Sequence, residues 1–578
     1  MKRLNLITCV LLLLSALVSQ AAERRVVVIF AQFQDLSFKY GSKDFSSFTD
    51  SLSMYFNAQY HGAATFRFDR GPVVTLSRAH SYYGNNTTSR NDALMYQGVE
   101  EACRLASDSL RFSDYSNGSA TTVKDVLIMV PGMSEPNSGK SDLFWPQYVS
   151  LTDRGSNLVL DNRRITEYGL ACELGPDGRF AGIGDMAHEY GHILGLKDLY
   201  DTDGEGSGGL SRALWGRFSL MDKGNTNNGG HTPPNFCAAE LFTLGIGKGE
   251  EITKPGIYTL SPIEQEGRYF IFRDSEGDDV FLAECRQENG WDSHIGGGGL
   301  LIYHYDNSDG DALWSDYYST RLTAAERWER NQINCNPAHQ CVELEASATD
   351  YPFFPNGTRT EFTSETTPAF RFWNGADNPY AISAIRRNWD GKVVFRLVRP
   401  ITITDSYSFQ NSISIQWECD SGIAGDIDSC RVACYNGVHL VSMNDAEHNG
   451  PLSWGCAING LSPSTAYSLK IYLYNDGKVM FSSESSYTTL PERKGIFPFI
   501  YLNYAGRRPD GSFPRDTSIP LQVFNSTGAR NIVWFYDNVL IAPGPDGRFT
   551  LQTSGTLQAE ISWSDGSKDV ITKKITVK

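Results

Sequence analysis

The sequence has no excess of basic residues and, past its extreme start, no long apolar run. Lysine and arginine number 51 against 67 aspartates and glutamates, for a formal net charge of -16 and a pI near 5.2. A surface of that sign repels phosphates, which argues against a nucleic-acid partner, and no basic stripe interrupts it. The longest apolar run, residues 4–18, falls short of the roughly 20 residues that a membrane-spanning helix needs. Low-complexity linkers are also missing. With 40% hydrophobic and 12% aromatic residues the composition is that of an ordinary globular chain, which excludes a large disordered region. No two cysteines stand in CxxC spacing, which weighs against a structural zinc site built from the late cysteines.

What is present begins with a leader. Met1-Lys2-Arg3 followed by the apolar run and by the small residues Ser19 and Ala21 predicts a secretory signal peptide over 1–21, cut after Ala21 or Ala22. The expected location is therefore secreted: extracellular, cell-surface or periplasmic. Cys9 lies in the leader, and the ten remaining cysteines make an even number in an oxidising compartment. Disulfides are expected between Cys335 and Cys341 and within the cluster Cys419, Cys430, Cys434 and Cys456. Cys103, Cys172, Cys237 and Cys285 are either paired or buried thiols.

At 578 residues and 64.2 kDa the chain is too long for one hydrophobic core. Strands and helices alternate through residues 22–250, from Arg25-Val26-Val27-Val28-Ile29-Phe30 through an aromatic-striped helix bearing Phe45, Phe48, Leu52, Tyr55 and Phe56. Residues 251–399 read as short strands separated by Gly/Asp turns. Residues 400–490 look like a fibronectin type III module. Ile413-Ser414-Ile415-Gln416-Trp417 is an alternating strand, and Leu461-Ser462-Pro463-Ser464-Thr465-Ala466-Tyr467 fits a corner whose tyrosine hydroxyl bonds back to the chain. Residues 491–578 form a second, Ig-like β-sandwich candidate. The fold class expected for the whole is α+β, a mixed domain of strands and helices with a β-rich extension followed by two β-sandwich modules.

The chemistry concentrates in His188-Glu189-Tyr190-Gly191-His192-Ile193-Leu194-Gly195-Leu196-Lys197-Asp198. On a helix, His188 and His192 are four residues apart and project toward one point. Glu189 stands beside the first, within reach of a water held at a metal's fourth position. Gly195 can end the helix and turn the chain so that Asp198 arrives as a third, oxygen ligand. Three protein ligands and one open position describe a catalytic zinc site rather than a closed structural one. A bare HExxH also arises by chance on amphipathic helices, but the Gly195 and Asp198 spacing and the turn-like Phe218-Ser219-Leu220-Met221 separate this one from chance.

These blocks resemble the M6 peptidases, the immune inhibitor A type of secreted, metzincin-like bacterial metalloprotease. The resemblance spans about residues 24–398. It rests on Gly182-Ile183-Gly184 leading into the motif, Tyr200-Asp201, Phe218-Ser219-Leu220-Met221, Ala238-Ala239-Glu240-Leu241, Leu244-Gly245, Glu284 to Gln287 with Trp291-Asp292, and Gly299-Leu300-Leu301-Ile302-Tyr303-His304-Tyr305-Asp306. Lys197 stands where a proline is common, and Asp185-Met186-Ala187 replaces a Thr-Phe-Cys-like run. The resemblance implies a metalloendopeptidase with Met221 packed beneath the zinc. In the chemistry expected here, His188, His192 and Asp198 hold zinc and Glu189 is the general base on the zinc-bound water. Other zincins take the third ligand from a later helix, which nominates Glu240 as the alternative. Asp201 and Asp203 are either candidate calcium ligands or a solvated acidic loop. His231, His294 and His304 read as structural or exposed. Expected partners are protein or peptide substrates, with the chain itself a monomer. A different class stays open: an inactive surface-binding or adhesion protein that uses its β-sandwiches.

Overall fold

The computed structural model describes residues 23–578 except 89, 213, 274–276, 311, 349–350, 491–496, 503–506, 509 and 565–567. The leader predicted over 1–21 lies outside the described residues. Among those that are described, no helix is long and apolar enough to cross a membrane. The chain divides into two compact units, one covering residues up to 378 together with 382–397, the other 379–381 together with 398–578.

The first unit opens with strand β1 (Glu23–Gln32), helix α1 (Ser42–Tyr60), strand β2 (Thr65–Thr75) and helix α2 (Met95–Ala106). Strands β3 (Val126–Met133), β4 (Gln147–Ser150) and β5 (Glu167–Leu174) follow, then helix α3 (Gly184–Leu194). The five strands form one sheet in the order β2-β1-β3-β5-β4, parallel except for β4 on the outer edge. Parallel strands are covered on both faces, and β1 and β3 accordingly carry unbroken apolar runs, residues 26–31 and 126–130.

Alternate residues of β1 serve the two faces. Val26, Val28 and Phe30 join α1 and α3 in one core, while Val27, Ile29 and Ala31 join α2 in another. The aromatic stripe of α1 lies in the first of these. Phe56 packs edge-on against Tyr190 of α3, with centroids 5.0 Å apart. On the same helix the Tyr190 hydroxyl donates to Asp125 at 2.7 Å, and Arg24 closes on that carboxylate at 2.8 Å. One face of α3 is thereby fixed to the sheet, which leaves the other face for chemistry.

A second sheet follows the short helix α4 (Ala238–Leu244). Strands β6 (Lys248–Glu251), β7 (Arg268–Arg273), β8 (Asp279–Arg286), β9 (Gly299–Asp306) and β10 (Val342–Leu344) lie in the order β10-β9-β8-β7-β6. Its centre buries ions. Arg286 is fully buried and bonds Glu284 at 3.1 Å and Asp292 at 2.5 Å, an arrangement that persists because each charge has its partner.

The second unit is all-β. Two four-stranded sheets, one holding Ser412–Cys419 and Ser453–Asn459, the other Ser429–Asn436 and Ala466–Asn475, contribute to one core around fully buried Trp417. The Tyr467 hydroxyl accepts the Ser462 backbone N–H at 2.9 Å. A further four-stranded sheet, with Ala529–Tyr536 and Gly555–Trp563 at its centre, buries Trp534 and Leu557. Lys573 Nζ reaches Asp405 Oδ1 at 3.2 Å within this unit.

The disulfide expectation needs correction. All ten described cysteines are free thiols, and all are buried. Cys335 and Cys341 do not pair: Cys335 Sγ lies 3.0 Å from Thr202 Oγ1, while Cys341 packs into the main core. In the later cluster Cys419, Cys430, Cys434 and Cys456 share one core as small apolar side chains. Burial pushes the thiols of Cys103 and Cys341 up to about 12, so they remain protonated.

Candidate functional site

Helix α3 carries His188, Glu189 and His192 and ends where Gly195 takes φ +113°, a left-handed conformation that a side chain would strain. The Gly195 N–H donates to the Gly191 and His192 carbonyls, and the chain reverses there. This reversal brings Asp198 Oδ1 to 3.0 Å from His188 Nε2 and 3.3 Å from His192 Nε2. The two imidazoles stand nearly perpendicular, 4.9 Å apart. One donor atom from each of the three residues lies within 4.8 Å of the others.

The remaining ring nitrogens are committed. His188 Nδ1 lies 2.9 Å from the Leu220 carbonyl and His192 Nδ1 lies 3.0 Å from the Leu196 carbonyl. A carbonyl can only accept, so each Nδ1 carries its proton and each Nε2 faces the common point. The carboxylate is held as well. Asp198 Oδ2 accepts from Asn331 Nδ2 at 2.6 Å while the Asp198 backbone N–H donates to Asn331 Oδ1 at 2.8 Å. Two imidazoles and a carboxylate, each braced on its far side, are a donor set that fits a zinc ion.

In the chain itself these groups perturb one another. Burial opposes a charge on His188, but Asp198 and Glu189 outweigh it and raise that imidazole to about 10. Burial also works against the Asp198 anion, yet the two histidines hold it well below the usual carboxylate range. Glu189 shows the opposite balance, with burial lifting it to about 7 against the pull of His188 and His192.

Glu240, the alternative ligand, stands outside the donor group. It is 1% exposed, and its carboxylate accepts from Ser219 Oγ at 2.6 Å, Met221 N–H at 3.0 Å and Cys237 N–H at 2.7 Å. Its work is to hold the 219–221 turn, whose Leu220 carbonyl in turn anchors His188. Met221 is fully buried under α3, so close that a Cβ on Gly191 would fall 2.7 Å from its sulfur.

Asp201 and Asp203 form a second group with Cys335. Asp201 accepts the Ser211 N–H at 2.9 Å and Asp203 accepts Ser207 Oγ at 2.5 Å. Two carboxylates supply only part of calcium's six to eight oxygens. His231 and His294 are exposed. His304 is buried in β9, stacked on Phe281 at 4.1 Å and bonded to Asp279 at 2.6 Å; despite its burial, Asp279 and Glu345 raise it to about 9.

Beside the donor group lies an open cleft of about 360 Å³ that admits His188, Glu189, Asp185 and Tyr200 to its lining. One wall, residues 223–230, presses on the start of α3: a Cβ on Gly184 would sit 1.7 Å from the Asn225 carbonyl oxygen. Sequence reasoning missed Asn331, which stands 133 positions from its partner with no motif around it.

No protein-family model and no curated protein matches the chain. Among solved structures it is similar to a computationally redesigned β-sandwich protein, at 15% identity over 16% of this chain and 93% of that one, TM-score 0.13. A fibronectin type III domain of the human KIAA0970 protein aligns at 14% identity over 17% and 77%, TM-score 0.14. A family 28 exopolygalacturonase of Yersinia enterocolitica aligns at 11% identity over 17% and 20%, TM-score 0.13. At such TM-scores these likenesses carry no argument about the site.

Proposed function

We propose that the protein is a secreted zinc-dependent endopeptidase of the M6, metzincin-like kind that hydrolyses peptide bonds of protein substrates. One observation carries the reading: two imidazole Nε2 atoms and the Asp198 carboxylate converge within 4.8 Å, each tethered from behind, with Glu189 on the same helix lining an open cleft. His188, His192 and Asp198 would hold the ion. When bound, zinc supplies Lewis acidity toward a substrate carbonyl and toward water.

The chain's own residues do the rest. Glu189 takes the proton of the attacking water and returns it to the leaving amine, a role suited to a carboxyl that lines the cleft beside His188. The Leu220 and Leu196 carbonyls keep both imidazoles in the Nδ1–H tautomer. Asn331 keeps Asp198 from swinging away.

The test is Glu189→Ala. It removes a base and not a ligand, so zinc stays at one per chain while cleavage of an unfolded protein falls about 100- to 10,000-fold. Wild-type turnover by this variant would overturn the assignment.

A further inference from the structure

Asp185 is one helical turn before His188 and Glu189, so all three share the face of α3 that lines the cleft. Its carboxylate accepts one hydrogen bond, on Oδ1 from Asn225 Nδ2 at 3.0 Å. Among the described residues no ion pair reaches it. The one lysine on the lining, Lys223, forms no ion pair with Asp185. The rest of the lining is largely apolar. It includes Pro146, Pro176 and the indole of Trp145, which is 43% exposed.

A cleft with a largely apolar lining and a carboxylate that accepts a single hydrogen bond matches one kind of side chain. The methylene stem of lysine or arginine lies along proline and tryptophan, its cation has an aromatic face to cross, and its head meets the carboxylate. An apolar substrate residue would instead cover the carboxylate without satisfying it, and an acidic one would be repelled.

We infer that Asp185 is a specificity-determining residue that selects a lysine or arginine flanking the scissile bond. This rests on the endopeptidase reading. A purely structural role, favouring the first turn of α3 and holding Asn225, would leave substrate choice unmoved.

The experiment uses the mature full chain loaded with zinc and a pair of peptides identical except for lysine or norleucine at one position. Each position flanking the cleaved bond is varied in turn. At one of them the wild type cleaves the lysine peptide with kcat/KM about tenfold or more above the norleucine peptide, a ratio set by one charge-assisted contact. In Asp185→Asn that ratio falls to near one, and in Asp185→Glu the preference for lysine persists. Because both peptides meet the same enzyme, the ratio is independent of how much of a variant is folded. A wild-type ratio near one at every position overturns the inference even if Asp185→Asn does not fold, and so does an undiminished ratio in that variant. Failure of the wild type to cleave either peptide or any denatured protein overturns the endopeptidase reading and the inference together.

Discussion

Asp198 and Glu240 are the two acidic residues that the motif arithmetic offers as third ligand, and their surroundings predict opposite consequences for substituting them. Glu240 is fully enclosed and answers three donors, two of them backbone N–H groups, of which Met221 also donates to Ser219 Oγ. A buried donor left without an acceptor costs about 1–3 kcal/mol. Glu240→Ala orphans the Cys237 amide, while the Met221 N–H keeps Ser219 Oγ at 3.0 Å, and should cost about 1–3 kcal/mol, a large part of an ordinary domain's stability. Glu240→Gln keeps one oxygen, which can still serve Ser219 and Met221, and sets an amide N–H₂ against the Cys237 N–H; about 1–3 kcal/mol is expected. Neither change removes a donor atom from the group around His188. Asp198→Ala does, and should weaken zinc binding beyond the 10–100-fold that loss of a supporting residue typically produces. The assay is zinc per chain after dialysis against a competing chelator, run beside urea unfolding of the same samples. Glu240→Gln should lose stability and keep its zinc, and Asp198→Ala should lose its zinc. If Glu240→Gln releases the metal while Asp198→Ala retains it, the ligand set drawn from this geometry is wrong.

Asn331→Ala, which removes the amide that brackets Asp198, should weaken zinc affinity about 10- to 100-fold in a chelator competition with the fold intact by circular dichroism; unchanged affinity would show that the bracket is idle. His304 is raised in the folded chain to about 9 from an ordinary 6.5, so its stabilising effect is complete below pH 6.5 and is lost as pH climbs through 9. Urea unfolding should show the wild type losing on the order of 3 kcal/mol across that window, a slope that His304→Gln flattens. Equal slopes in the two proteins would place the pH dependence elsewhere.

Much of the site was legible because it is local. Four residues of helix set His188 beside His192, a single glycine ends that helix, and three more residues return Asp198 to the same end, where distant Asn331 holds it. The alternation of Ile413, Ile415 and Trp417 likewise announces a half-buried strand, and the Tyr467 corner closes over five residues. Cysteine pairing was not legible. Counting thiols cannot say which sulfurs meet, and all ten described cysteines are free and buried.

By itself the sequence determined which residues could supply metal-binding atoms and which face of α3 would present them, because helical spacing acts over one turn. Only the tertiary structure decided what each acid does. Asp198 meets the histidines because Asn331, 133 residues later, brackets it; Glu240 braces the 219–221 turn because α4 packs under it; Asp185 faces a cleft because glycines at 182 and 184 let residues 223–230 press against the helix. Carboxylates are chemically alike, and their roles diverge through burial and through partners that chain folding brings from far away.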